Sequence, residues 1–235
     1  MRATNPSPLV SRSSAPSVSR APAGAVPTAH SDAAASSRAS RLLLGAGLVG
    51  AVLFPVIYLL DGALRPGYDT LTEPISALAL GPAAWVQIGN FILYGTLIAL
   101  SAIGWRAALT PGPAAVWYPA TRALSGFALI ATGIFHAGPI HNMVSYTSLI
   151  ATVAGLFILA RRLHREPDWR GWATVAVGTA VLEMGFLATF GFLNSHTGGG
   201  GVFEKLATIT VAAFIIALTA RVLARHGRIA TPARA

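Results

Sequence analysis

The chain has 235 residues, of which 54% are hydrophobic and only 11% charged. Soluble domains run near 25% charged, so these few ionic groups cannot build a water-facing surface, and a purely soluble fold is excluded. The formal charge of +9 comes from arginines at the ends of apolar runs, not from one basic face or cluster, which excludes a nucleic-acid partner. The chain has no cysteine, so disulfides, thiol catalysis and Cys-ligated metals are excluded too.

Residues 1–40 are rich in Ser, Ala, Pro and Arg and lack apolar periodicity. Such a segment buries too little surface to offset its ordering entropy, so a disordered cytoplasmic tail is expected there. The first apolar core begins only at Leu42, too far from Met1 for a cleavable signal peptide. A membrane crossing needs roughly 20 mostly apolar residues. Six stretches meet that need: 42–60, 83–104, 118–136, 142–160, 171–192 and 201–223. Pro55 is expected to kink the first. The transmembrane domain then spans 41–224, and 225–235 forms a basic cytoplasmic tail.

The charges alternate along the chain. Arg2, Arg12, Arg20, Arg38 and Arg41 precede the first span, and Arg106 and Arg122 are assigned to the second connection. Arg161, Arg162, Arg165 and Arg170 fall in the fourth, and Arg221, Arg225, Arg228 and Arg234 follow at the C-terminus. The first, third and fifth connections hold only Arg65 and Lys205, beside Asp61, Asp69, Glu73 and Glu204. An even number of spans with the basic side cytoplasmic satisfies that pattern. The expected fold is therefore all-α: a polytopic transmembrane bundle of six helices, both termini cytoplasmic, in the cytoplasmic membrane of a bacterium. The lipid bilayer is its first partner, and no sequence feature sets an oligomeric state.

The long first connection, 61–82, carries helix signals of its own. Thr70-Leu71-Thr72-Glu73 has capping-box spacing, Gly81 suits a helix C-terminus, and Leu71, Ile75 and Leu78 fall on one face. A short amphipathic helix at the outer interface is expected.

Polar side chains inside spans are costly and turn toward the bundle interior. Gln87, Asn90, Tyr94 and Ser101 share a face of the second span, and Thr121, Ser125, Thr132 and His136 share one of the third. Ser145, Ser148, Thr152 and Gly155 do so in the fourth, and Glu204, Thr208 and Thr219 in the sixth. At 1.5 Å per residue, Asn90, Thr132, Ser148, Glu183 and Thr208 lie roughly 8–11 Å below the outer surface. They form a polar layer roofed by His136, His141 and Ser76.

Most of these hydroxyls read as ordinary helix-packing contacts. Glu183 differs, because it is the one acid well inside a span and needs a partner, with Thr179 and Asn90 nearest. The candidate ligand pocket comprises Glu183, Asn90, His136, His141, Ser76 and Glu204, and no catalytic residue is assigned. His136, His141 and His196, with Asp69, Glu73 and Glu204 on the same side, have the ligand chemistry for zinc. They lack an HExxH-type spacing and come from three different loops, so neither metal nor cofactor is assigned. The glycines from Gly198 to Gly201 lack the Lys-Ser/Thr of a P-loop and read as a flexible turn. No serine stands in a GxSxG context. Trp85, Trp117, Tyr118 and Trp172 sit near span ends, as interfacial anchors do.

Gly67-Tyr68-Asp69, then Ile75-Ser76-Ala77-Leu78-Ala79-Leu80-Gly81-Pro82, then Trp85, Asn90-Phe91 and Gly95 form a recognisable pattern. It resembles the bacterial and archaeal membrane proteins grouped as domain of unknown function 998. Gly201-Val202-Phe203-Glu204-Lys205-Leu206 is similar to that family's Gly-Leu-Phe-Glu-Arg-Leu pattern before the last span. The resemblance covers roughly 42–223 and implies a membrane bundle, with no established activity to carry over. It departs at the third connection, where the family has an Asp-Pro after the Phe and a His-Asp opening the fourth span. Here Phe135 is followed by His136-Ala137-Gly138-Pro139-Ile140-His141-Asn142. The resemblance sets His141 at the family histidine and Asn142 in place of the acid, so no reaction needing those carboxylates is implied.

The leading expectation is an integral membrane protein with an outward-facing polar pocket for a small-molecule or lipid-like ligand. Two alternatives stay open, an intramembrane metal-assisted hydrolase using the outer histidines and a proton-coupled secondary transporter using Glu183. The first and last three spans share no visible repeat, a feature common in transporters.

Overall fold

The computed structural model describes residues 29–109 and 111–229, with the side chains of 38–109 and 111–225. Its elements in chain order are α1 (Ala29–Leu64), the short 3-10 helix η1 (Ile75–Ala79), α2 (Ala84–Ala108), α3 (Ala114–Ile134), α4 (Gly138–His164), α5 (Arg170–Thr197) and α6 (Gly201–Ile229). A single 3-10 turn, Pro167–Trp169, precedes α5. No strand occurs among the described residues. Each expected span falls on one of the six α-helices, as it must where lipid offers the backbone no hydrogen bonds. α1 opens at Ala29, inside the stretch expected to be a disordered tail. Its Ala33-Ala34-Ala35 run has the highest helix propensity available and favours a helix that starts upstream of the apolar span, Arg38–Leu64. The rest of that stretch, 1–28, lies outside the described residues, as does 230–235 of the basic tail.

Among the described residues, five helices are long and apolar enough to cross a membrane. The 25 residues of α2, for example, rise roughly 37 Å against a hydrocarbon core of roughly 30 Å. α3 is the exception among the six. Its 21 residues are long enough, but Trp117-Tyr118-Pro119 and Arg122 make its first half polar. Only 22–44% of each apolar window is buried, and outward side chains such as Ile103, Phe127, Ile150 and Leu182 are exposed. Soluble proteins do not expose apolar surface on that scale. The chain is a multi-pass membrane protein.

Each helix packs on its neighbour in sequence, and α1 packs on α6 to close a ring. One end of the ring carries η1 and the α3–α4 and α5–α6 connections. The other end is filled by a core that includes Leu44, Trp105, Tyr118, Leu159, Ile215 and Leu218. Tyr118, expected as an interfacial anchor, belongs to this core and meets Trp105 edge to face at 5.3 Å. A smaller cluster of Phe54, Tyr58, Ile75, Leu78 and Phe91 joins α1, η1 and α2. α5 is seated by one half only. Ala173, Ala176, Thr179, Ala180 and Glu183 are buried, whereas no residue of 184–197 is.

The helix expected from Thr70 is corrected in extent and type. It begins at Ile75, and Leu71 is 64% exposed instead of sharing its buried face. Asp69 organises the turn before it, taking the Leu71 N–H on Oδ1 at 2.9 Å and the Glu73 N–H on its carbonyl at 2.9 Å. The carbonyls of Thr72 and Leu71 accept the N–H groups of Gly201 and Val202, both at 2.9 Å. These are orphan donors of the α6 N-terminus. Committed to α6, the two carbonyls are lost to a helix of their own. The glycine turn is accordingly built, not loose. Gly198 ends α5 in the left-handed region at φ 69°, and a Cβ on Gly201 would stand 1.9 Å from the Glu73 carbonyl oxygen.

Candidate functional site

Between the packed end and η1 the ring encloses a cavity of about 240 Å³, to which all six helices contribute. One wall is aromatic, with Phe54 stacked on Tyr94 at 4.6 Å and Phe91 beside them. Another is a seam of hydroxyls between α3 and α4. Ser125 Oγ lies 3.0 Å from Ser148 Oγ and 2.9 Å from Thr152 Oγ1, and Ser148 Oγ donates to the Ser125 carbonyl at 3.1 Å. Thr132 and Ser145 meet at 3.3 Å. These groups satisfy one another, so the seam holds the two helices together as hydroxyl stripes in membrane bundles do.

Two charged side chains in the cavity are not satisfied in this way. Glu183 is 3% exposed, lines the cavity, and its Oε2 has no hydrogen-bond partner. Neither Thr179 nor Asn90 bonds to it. Arg122 is 7% exposed; one Nη2 donates to Ser101 Oγ at 3.0 Å, and its Nε has no partner. Ion pairs form elsewhere in the fold, at Arg65–Asp61, Arg162–Glu166 and Arg225–Asp168. Glu183 and Arg122 thus share one cavity without pairing. Buried charges are ordinarily paired and hydrogen-bonded.

The η1 end forms a roof. Glu204 accepts the Ile75 N–H at 2.7 Å. Next to it the buried Lys205 donates to the Glu73 carbonyl at 2.8 Å and lies over the Tyr68 ring at 5.4 Å. Tyr68 in turn donates to the carbonyls of Glu73 and Pro74 at 3.2 and 3.1 Å. Burial pushes its phenol well above the usual 10, with Glu204 and Glu73 nearby adding to the effect. Asp69 outside the roof moves the other way, held below its usual 3.8 chiefly by the Leu71 N–H.

Of the six residues expected in the pocket, Glu183, His141, Ser76 and Glu204 line the cavity. Asn90 does not. It is buried between α1 and α2, donating to the Phe54 carbonyl at 3.1 Å and to Gln87 Oε1 at 3.2 Å. His136 is exposed and also stands outside. His141 Nδ1 faces the carbonyls of Phe135 and Thr132 at 3.0 and 3.3 Å. Both are acceptors, so Nδ1 carries a hydrogen and donates to them. His196 is exposed and stacked on Phe192 at 4.3 Å. The three histidines therefore do not converge, and no group of three metal-ligating side chains forms among the described residues.

Arg122 is the site residue that charge counting misses, because an arginine near a cytoplasmic end reads as a topology signal. The spacing carried the clue: Arg122, Ser125, Leu129 and Thr132 recur at helical intervals on one face and all line the cavity. Lys205 likewise lies within α6, not in the connection before it.

In chemical terms the arrangement offers a space of mixed aromatic and hydroxyl walls with one fixed cation, Arg122, the imidazole of His141 and two carboxylates, of which Glu204 already accepts the Ile75 N–H and Glu183 keeps an unpartnered oxygen. It can bind and orient a polar group brought out of water. Comparison with curated proteins and with solved structures finds no match in either. Residues 48–221, most of the membrane bundle, match the family described as Protein of unknown function (DUF998), and the chain belongs to that family.

Proposed function

We propose that the protein is a six-span membrane protein with both termini cytoplasmic, whose cavity lies in the outer half of the bilayer and binds a small or lipid-like ligand. η1 then sits at the outer interface as the roof of that cavity, and the membrane is the cytoplasmic membrane of a bacterium. The observation that carries this reading is Glu183, a buried carboxylate with an unpartnered oxygen at a cavity wall. A carboxylate placed there for structure alone would be paired or replaced by an apolar residue of similar size. The arginine-rich connections on the side opposite η1 support the orientation.

The test is retention of ligand through purification. Protein extracted in mild detergent should carry a stoichiometric small molecule or lipid, identified by mass spectrometry of the extract. Leu129→Trp, which pushes a cavity wall inward without removing a hydrogen bond, should lose it. Equal contents in the two proteins would sink the reading. Alkaline phosphatase and fluorescent-protein fusions at both termini test the orientation, and opposite sides for the two ends would overturn it.

The same carboxylate supports a second reading, a proton-coupled transporter. Uptake into liposomes that survives Glu183→Gln unchanged removes Glu183 from such a mechanism. The metal-assisted hydrolase has less support, since of the three histidines only His141 lines the cavity.

A further inference from the structure

We propose that the ligand is zwitterionic, with an ammonium set against Glu183 and an oxyanion against Arg122, and that it is the head of an aminophospholipid entering sideways from the bilayer beside the second half of α5. This rests on reading the cavity as a ligand pocket and names what the pocket takes.

The charge argument comes first. Arg122 carries its charge at any accessible pH and keeps one buried donor unused. Glu183 lines the same cavity and keeps a buried acceptor unused. Burial of either charge is costly without a partner. The simplest relief is a salt bridge between the two, and none joins them. A purely anionic ligand would satisfy Arg122 and set a second negative charge near Glu183. A purely cationic one would do the reverse. Only a ligand with both signs satisfies both ends.

Size and access decide the rest. A cavity of about 240 Å³ falls below the roughly 300–1,000 Å³ of pockets that enclose a drug-sized ligand. It holds a headgroup and leaves acyl chains outside. The way out runs along α5, whose residues 184–197 include no buried side chain. Phe190 and Asn194 of that half line the cavity, while Val181, Leu182, Met184 and Phe192 are exposed apolar side chains on the same helix. A chain lying beside them stays in contact with apolar surface. The shared chemistry, an ammonium a few bonds from an oxyanion, also exists in soluble zwitterions, so the test separates the two sources.

The experiment is native mass spectrometry of the full-length protein in detergent. It is titrated with phosphatidylethanolamine, with phosphatidylglycerol of the same chains, and with glycerophosphoethanolamine. The wild type should prefer phosphatidylethanolamine over phosphatidylglycerol by about tenfold or more, the usual scale for a desolvated charge pair. Glu183→Gln, nearly isosteric, should erase the preference. Arg122→Lys, which keeps the buried charge but loses the planar donor fork, should weaken both lipids. Equal binding of the two lipids by the wild type, or a preference that survives Glu183→Gln, overturns the zwitterion assignment. Glycerophosphoethanolamine binding as tightly as the lipid overturns entry from the bilayer. No binding of any probe, together with no ligand lost in Leu129→Trp, is the separate failure of the pocket reading itself.

Discussion

Replacing Gly95 by alanine puts the packing of α2 on α3 to a quantitative test. A Cβ on Gly95 would lie 2.5 Å from the Gly126 carbonyl oxygen and 2.8 Å from the Ile130 nitrogen. The contact is reciprocal, since a Cβ on Gly126 would lie 2.6 Å from the Gly95 oxygen and 2.8 Å from the Ala99 nitrogen. The nearest obstacles are backbone atoms on a neighbouring helix, so no rotamer change relieves the clash. To restore an ordinary 3.4 Å contact the helices must part by about 0.9 Å. Forced overpacking of this kind costs roughly 1–3 kcal/mol, while alanine returns up to about 1 kcal/mol of helix propensity. Gly89, on the same helix, has nothing within 4 Å of its Cβ position, so Gly89→Ala should gain the propensity term alone. The two variants should differ by about 1–3 kcal/mol, roughly 5- to 150-fold in the folded-to-unfolded ratio. Unfolding by sodium dodecyl sulfate in mixed micelles, followed by tryptophan fluorescence, measures it, with Trp105 buried against Tyr118 as a reporter. If Gly95→Ala proves as stable as Gly89→Ala, close backbone contact is not what holds α2 to α3.

The roof and the turn beside it yield three further predictions. Glu204→Ala strands the Ile75 N–H that Glu204 accepts at 2.7 Å and should cost about 1–3 kcal/mol; Glu204→Gln, which keeps an acceptor, should recover most of that in the same micelle titration. Gly201→Ala cannot close the approach to the Glu73 carbonyl, so amide exchange at Val202 should accelerate as its bond to Leu71 opens; unchanged exchange would mean that the turn tolerates the methyl group. The carboxyl of Asp69 is depressed in the folded protein, so its contribution to the 69–73 turn is present above its usual 3.8 and is lost as pH falls through the lower folded value. Exchange at the Leu71 amide should rise on that acid side only, and Asp69→Asn should abolish the dependence.

The one-dimensional pattern of apolar runs determines the six helices, because a backbone in lipid has no solvent to bond with and must satisfy itself within each segment. Composition and the arginine alternation likewise bear on the membrane and on an even span count without any knowledge of contacts. Several site residues are legible for the same reason: an acid such as Glu183 is too costly in a span to be incidental. The tertiary structure alone decides pairing. Counting along the spans sets Asn90 and Glu183 at one depth, yet Asn90 spends its amide on the Phe54 carbonyl and Gln87, because such a count does not say which way a helix is turned. Arg122 carries a topology signal and a cavity wall in one side chain, and only the packing of α3 separates them. The start of η1 follows from α6, more than a hundred residues later in the sequence, whose unbonded N–H groups claim the carbonyls of Leu71 and Thr72. Local periodicity cannot foresee a hydrogen bond taken by a distant helix end.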